Sequence, residues 1–230
     1  MQIEYFYASK NDGRLALVKL KPLKKTEEIL NSLSHGITAA AAVGGMIVLI
    51  IFGARSDVKW SLFSALFYGL SLVLLYLFSS FYHGLRHKKA KYVFKILDHC
   101  GIYLLIAGTY TPVLLICIGG TTGWIYFAIL WSMALIGIIL KIFFAGKYKT
   151  ISTLMYAVMG WIIIFDIDIV KASLPAPAFW LLAAGGFAYT FGIIFYMLDK
   201  RLKYGHFIWH LFVMMGSIFH FIMMVKYVFI

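Results

Sequence analysis

The sequence predicts an all-α integral membrane protein: one bundle of seven transmembrane helices with its N-terminus in the cytoplasm. Three observations carry this reading. The 230-residue chain is 63% hydrophobic and only 13% charged, with a mean hydropathy of +0.90, far from the balance of a soluble domain. Seven apolar segments each supply the ~20 helical residues that cross ~30 Å of hydrocarbon. Basic residues gather in alternate connections between them.

The elements follow in order. Residues 1–33 form a short N-terminal arm with six Lys or Arg and no apolar core followed by a small-residue cleavage site, which predicts that no signal peptide is removed. Within it "RLALVKLKPLKK" alternates weakly and predicts a short extended or interfacial piece. Residues 34–230 form the membrane domain, with spans predicted at 34–54, 60–83, 98–118, 123–144, 151–170, 177–198 and 206–229. The runs are long and continuous, without the alternation of a barrel strand, and a helix satisfies its own backbone groups inside lipid. In the third span "GTYTP" predicts a kink at Pro112. Asp166 and Asp168 end the fifth span, where solvation is expected. The abundant Phe, Trp and Tyr read as lipid packing and interfacial belts. Cys100 and Cys117 lie about 25 Å apart on one helical run, which excludes a disulfide between them.

Charge sets the orientation. Seventeen of the 21 Lys and Arg fall in the N-terminal arm, the 84–97 loop and the connections after spans four and six, counting Lys141; Arg55, Lys59, Lys171 and Lys226 lie on the other side. The positive-inside rule then puts the N-terminus in the cytoplasm and the C-terminus outside. The formal net charge of +12 is accounted for by basic rims beside anionic headgroups, and no nucleic-acid motif accompanies it. Membrane lipids are the expected partners.

This topology brings distant polar residues to one depth. His35 opens the first span, His83 closes the second, Asp98 opens the third, and His206 and His210 open the seventh. Ser79 and His83 are four apart, as are His206 and His210, so each pair shares a helix face. Glu28, Asn31 and His35 share a stripe if the first helix starts before the membrane. Three imidazoles near an acid are the donor set of a catalytic zinc site, with a fourth position left for water. The expected ligands are His83, His206 and His210. Zinc lowers the pKa of its water to about 7, Asp98 accepts a hydrogen bond from that water or acts as general base, and Ser79 orients a ligand or a bound carbonyl. Imidazole also suits iron, copper and nickel.

The plainer alternative is that histidines near helix ends sit among headgroups or bond to carbonyls. A single HxxxH pair would favour it; a third His and an Asp at the same depth favour the metal. His220 lies about 15 Å deeper than His210 along a straight helix and is expected to pack between helices. His87, in a basic loop, and His99, turned about 100° from Asp98, read as interfacial.

At these residues the chain resembles a known family. "EILNSLSHG" fits an ExxNxx[S/T]H opening, "SSFYH" supplies SxxxH at Ser79 and His83, "LDHCGIYLLIAGTYTP" supplies the acidic start of a helix, and "HFIWH" supplies HxxxH. Together, over residues 28–220, they are similar to the hemolysin III branch of the progestin and adipoQ receptor family. The resemblance implies a seven-helix fold with zinc on His83, His206 and His210, Asp98 at the metal-bound water and Ser79 beside it. Glu28, Asn31 and His35 carry the first motif, whose role is less defined. The wider superfamily includes alkaline ceramidases, which implies hydrolysis of a lipid amide. This arm is shorter than that of the hormone receptors, which suggests a bacterial member.

Three function classes follow. The first is an intramembrane zinc hydrolase of a lipid amide or ester. The second is a membrane-homeostasis sensor or regulator in which zinc ties helices together. The third is a cytolysin, ranked last because a secreted toxin should be soluble before insertion. The charge asymmetry makes one prediction directly: a reporter fused to the C-terminus should behave as extracytoplasmic, and a cytoplasmic signal would mean that the number of spans is even.

Overall fold

Two of the helices start well before their apolar runs. The computed structural model describes residues 6–11, 14–19, 22–144, 148–199 and 201–229. In it α1 spans Pro22–Arg55 rather than beginning at 34, and α3 spans Lys88–Pro112 rather than beginning at 98. Both extensions are charged, so a search for apolar runs passes over them, yet their composition favours helix. Proline at the first helical position loses no hydrogen bond, and the Lys, Glu and Leu that follow are good helix formers. At α3 the His87 ring accepts from the Ala90 amide and caps the first turn.

The other spans lie close to their predicted places. They are α2, Ser61–Gly84; α4, Gly120–Phe143; α5 and α6, Lys149–Trp161 and Ile167–Ser173, joined by a 3₁₀ turn over Ile162–Asp166; α7, Ala176–Met197; and α8, Gly205–Met223. Counting α5 and α6 as one, seven helical segments of the described residues are long and apolar enough to cross a membrane. At Pro112 the third span passes into a π-helical segment, Val113–Ile118, the register change expected where a proline removes an N–H. Asp166 is not simply solvated: it accepts a hydrogen bond from the Tyr126 hydroxyl of α4.

The N-terminal arm contains an antiparallel hairpin, β1 (Phe6–Asn11) and β2 (Arg14–Lys19), with Phe6 opposite Lys19 and Asn11 opposite Arg14. It rests against α3. Lys21, Lys147, Lys200 and the C-terminal Ile230 lie outside the described residues.

Helix α2 is the axis of the bundle, packed between α1 and α3, while α8 packs on α7 and α1. Its Tyr68, Leu72, Leu75 and Tyr76 lie in the core with Tyr103, Leu130, Met159 and Val213. The outer surface is apolar too, with Ile37, Ile47, Leu66, Ile129, Leu154, Phe165 and Ile218 exposed, as lipid requires and water would not allow. Between helices the glue is small and polar. Ser32 donates to the Ser80 carbonyl at 3.0 Å and Ser80 donates back to that of Ser32 at 2.9 Å, with Gly36 and Gly84 keeping the backbones close on either side. This seam fixes the depth of α1 against α2, and with it the reach of Glu28 toward His83.

Close packing also joins α4 to the π-helical segment. A Cβ built on Gly123 would lie 2.1 Å from the Leu114 carbonyl oxygen, whereas one on Gly44 meets nothing within 4 Å. Gly123→Ala should therefore lower the thermal unfolding temperature in detergent, at a cost of about 1–3 kcal/mol for overpacking. Gly44→Ala should leave it unchanged or raise it, since alanine favours a helix interior.

Candidate metal centre

The close of α2 and the opening of α8 meet at one end of the bundle. His83 stands on the last turn of α2, and His206 and His210 stand on the first turns of α8. Their rings form a near-equilateral triangle, with centroids 5.1 Å apart for His83–His206, 5.0 Å for His83–His210 and 4.8 Å for His206–His210. One nitrogen from each lies within 4.8 Å of the others. Three imidazoles with bond lengths of about 2.0–2.1 Å to zinc fit such a triangle after small side-chain adjustments.

Each imidazole is supported from another element. The His83 Nδ1 faces Glu28 Oε1 of α1 at 3.2 Å, and His83 Nε2 is buried without a partner among the described residues. Glu28 in turn accepts from Lys91 of α3 at 3.0 Å, and the same ammonium donates to the His83 carbonyl at 3.3 Å. Lys91 is only 1% exposed, a depth at which a lysine is found only when paired. The His206 Nδ1 faces Asp199 Oδ2 at 3.6 Å, and the His206 amide donates to Glu27 at 3.1 Å. Asp199 is held by Lys149 at 3.2 Å. Burial raises the carboxyl pKa of Asp199, but the neighbouring His206 and the Lys149 ammonium outweigh it and hold the group below the usual carboxylate range. His210 stacks on His35 of α1, with centroids 3.7 Å apart and planes at 9°.

The sequence-derived residues divide as follows. Ser79 is buried one turn before His83, and among the described residues neither its hydroxyl nor the Oδ1 of the buried Asn31 has a hydrogen-bond partner. Ser79, Asn31, His35, Glu28 and Asp98 all line the cavity that holds the three histidines. None of the imidazoles bonds to Asp98; their acidic partners are Glu28 and Asp199. His220 stays apart and faces the Leu182 carbonyl at 3.1 Å. His87 is exposed at the start of α3. His99, expected at the interface, also lines the cavity while its Nδ1 faces the Lys95 carbonyl. The support given by Lys91, Asp199 and Lys149 was not read from the sequence. Their one signal was position, since all three stand in the basic connections at the depth of the histidines.

The cavity has a volume of about 850 Å³. Its histidine end is polar, and it continues between α3, α5, α6 and α7 along Leu105, Val113, Ile163, Val170, Phe179 and Leu182. Amphipathic molecules are the ligands such a shape suits.

Fold and site together define a seven-helix integral membrane protein with a buried histidine centre at one end of its bundle. The chain belongs to the family described as haemolysin-III related, whose pattern matches residues 23–221. It is 46% identical to Hemolysin-3 of Bacillus cereus, over 88% of this chain and 92% of that protein. It is 44% identical to the Hemolysin-3 homolog of Bacillus subtilis strain 168, over 83% and 89%. More distantly, it is 29% identical to the human Monocyte to macrophage differentiation factor, over 88% and 85%.

The supporting carboxylate can be tested directly. Glu28→Gln should weaken metal retention by roughly 10- to 100-fold, as loss of a ligand's carboxylate partner does elsewhere, and should destabilise the fold by leaving Lys91 buried opposite a neutral group. Metal titration and thermal unfolding of the purified variant give the two readouts; unchanged retention would remove Glu28 from the centre.

Proposed function

We propose that this protein is an intramembrane zinc hydrolase that cleaves an amide or ester of a membrane lipid at the cytoplasmic side of a cell membrane. The observation that carries the proposal is the convergence of His83, His206 and His210 in the polar end of a cavity whose remainder is apolar. The donor set fits zinc: three nitrogens from two helices, with His83 Nε2 and His210 Nδ1 buried and unpartnered. Zinc held there would polarise a carbonyl and make water a stronger acid.

The remaining chemistry falls to the chain. Asp98, which lines the cavity without bonding to a histidine, is free to take a proton from attacking water. The unpartnered Ser79 hydroxyl can donate to the substrate carbonyl. The apolar wall from Leu105 to Phe179 holds an acyl chain and excludes water from it. The placement of the centre on the cytoplasmic side rests on the seventeen basic residues at that end.

A second reading has its own support. His83 belongs to α2 and the other two histidines to α8, helices otherwise joined through Tyr76, whose hydroxyl donates to Ser217 at 2.6 Å. An ion there would staple the bundle, which suits a sensor or regulator of membrane state. The cytolysin reading draws on the names of the Bacillus relatives and has no counterpart in the site.

One set of measurements separates these readings. The purified protein should contain about one zinc per chain; His206→Ala should lose it and His220→Ala should keep it. Asp98→Asn should keep the metal yet lower lipid amide or ester hydrolysis by roughly 10²- to 10⁴-fold, the usual worth of general acid–base assistance. Loss of zinc in Asp98→Asn would make Asp98 a ligand, and full zinc with no turnover in the parent would favour the staple.

A further inference from the structure

Helix α4 runs along the periphery, and its inward stripe is Leu130, Ala134, Gly137 and Lys141, spaced four, three and four apart. The first three are what a helix seam requires. Gly137 admits the Tyr103 ring so closely that a Cβ there would lie 2.3 Å from it, and this brings α4 against α3. Lys141 occupies the next position of the same stripe. It is 6% exposed, and among the described residues it is the one side chain of α4 that lines the histidine cavity.

A lysine at a helix end normally snorkels outward to the headgroups. This one is buried by protein and faces inward. Among the described residues no carboxylate pairs with it, and the other cations that act on it are Lys95 and Lys149, both lining the same cavity. The acids at this end are engaged elsewhere: Glu28 with His83 and Lys91, Asp199 with His206 and Lys149, and Glu27 with the His206 amide. Asp98 also lines the cavity, and among the described residues no ion pair joins it to Lys141. A buried ammonium without a counter-charge is costly unless a ligand supplies one.

We propose that Lys141 makes the polar end of the cavity selective for an acyl lipid whose headgroup carries anionic oxygen, a phosphate or carboxylate beyond the bond at the histidines. The chain lies along the apolar wall, its carbonyl reaches the histidines, and the headgroup charge meets Lys141 with Lys95 and Lys149 beside it. This names a substrate class for the chamber read above as lipid-binding and rests on that part of the reading, not on turnover or on zinc.

Two chain-matched lipids test it: 1-oleoyl lysophosphatidate and monoolein, which differ by the phosphate. Binding of each to the full-length protein in a neutral maltoside detergent is measured by titration calorimetry. The parent should bind the lysophosphatidate roughly tenfold or more tightly than monoolein, the usual worth of a hydrogen bond to a charged group. Lys141→Met, which keeps the apolar stem, should lose that preference while retaining monoolein, and Lys141→Arg should keep it.

Equal binding of the two lipids by the parent overturns the proposal without need of any variant, so a misfolded variant does not rescue it. A preference that survives in Lys141→Met overturns it as well and returns Lys141 to a packing role. Competition by glycerol phosphate as strong as that by the lysophosphatidate would make this a site for a free anion and overturn the lipid assignment. Failure of both lipids to bind would instead sink the lipid chamber itself, and the proposal with it. Full discrimination by a protein with no hydrolytic turnover would leave Lys141 in place and remove only the enzyme.

Discussion

A polar atom inside an apolar bundle must be satisfied by another part of the protein, by water or by a ligand, because lipid offers no partner. Most of the structure follows from that constraint. Ser32 and Ser80 satisfy each other across α1 and α2; Tyr76 and Tyr189 share Ser217 across α2, α7 and α8; Lys91 and Glu28 neutralise each other across α3 and α1. Each link also fixes the relative depth of two helices. Of the buried side-chain atoms left without a partner among the described residues, Asn31 Oδ1, both ring nitrogens of His35, Ser79 Oγ, His83 Nε2, Asp199 Oδ1 and His210 Nδ1 gather at the histidine end, while Ser61 Oγ, Ser64 Oγ, Tyr68 Oη and His220 Nδ1 lie elsewhere. The cluster at the histidine end is the densest of these and is what a ligand there would satisfy.

The histidines are held from outside their own helices. Glu28 turns His83, Asp199 faces His206, and the His35 ring lies flat on His210. One of these supports, Glu28, comes from the charged extension of α1, and a second, His35, from the turn where the apolar run of the same helix opens. Lysines then complete the arrangement, with Lys91 behind Glu28 and Lys149 behind Asp199. Imidazole orientation is thereby set by the chain itself, the preorganisation that a metal centre would require.

Irregular backbone within the membrane is tolerated where it faces protein or a cavity, and the breaks in the third and fifth spans obey this. The π-helical segment begins at Val113 and the 3₁₀ turn includes Ile163 and Ile164, all of which line the cavity. Tyr110, the residue two before Val113's proline, donates to the Gly160 carbonyl just ahead of the second break. The two distortions thus stand against each other and shape the apolar part of the chamber.

The sequence by itself determined the number and approximate limits of the spans, because hydrocarbon thickness demands apolar runs of a fixed length. It also determined the convergence of His83, Asp98, His206 and His210 at one depth, because alternating topology leaves few places for them. Helical spacing put His206 above His210 and Ser79 above His83. What it could not decide was which side chains touch. The charged turns of α1 and α3 carry no apolar signal, and the strands Phe6–Asn11 and Arg14–Lys19 show only a short alternation. The pairing of His83 with Glu28 rather than Asp98 depends on how α1 lies against α2, which small residues and reciprocal serines set. The inward turn of Lys141 depends on the fit of Gly137 against Tyr103. Contacts between helices are governed by rotation and depth, and those are fixed by tertiary packing, to which hydropathy along a single chain is blind.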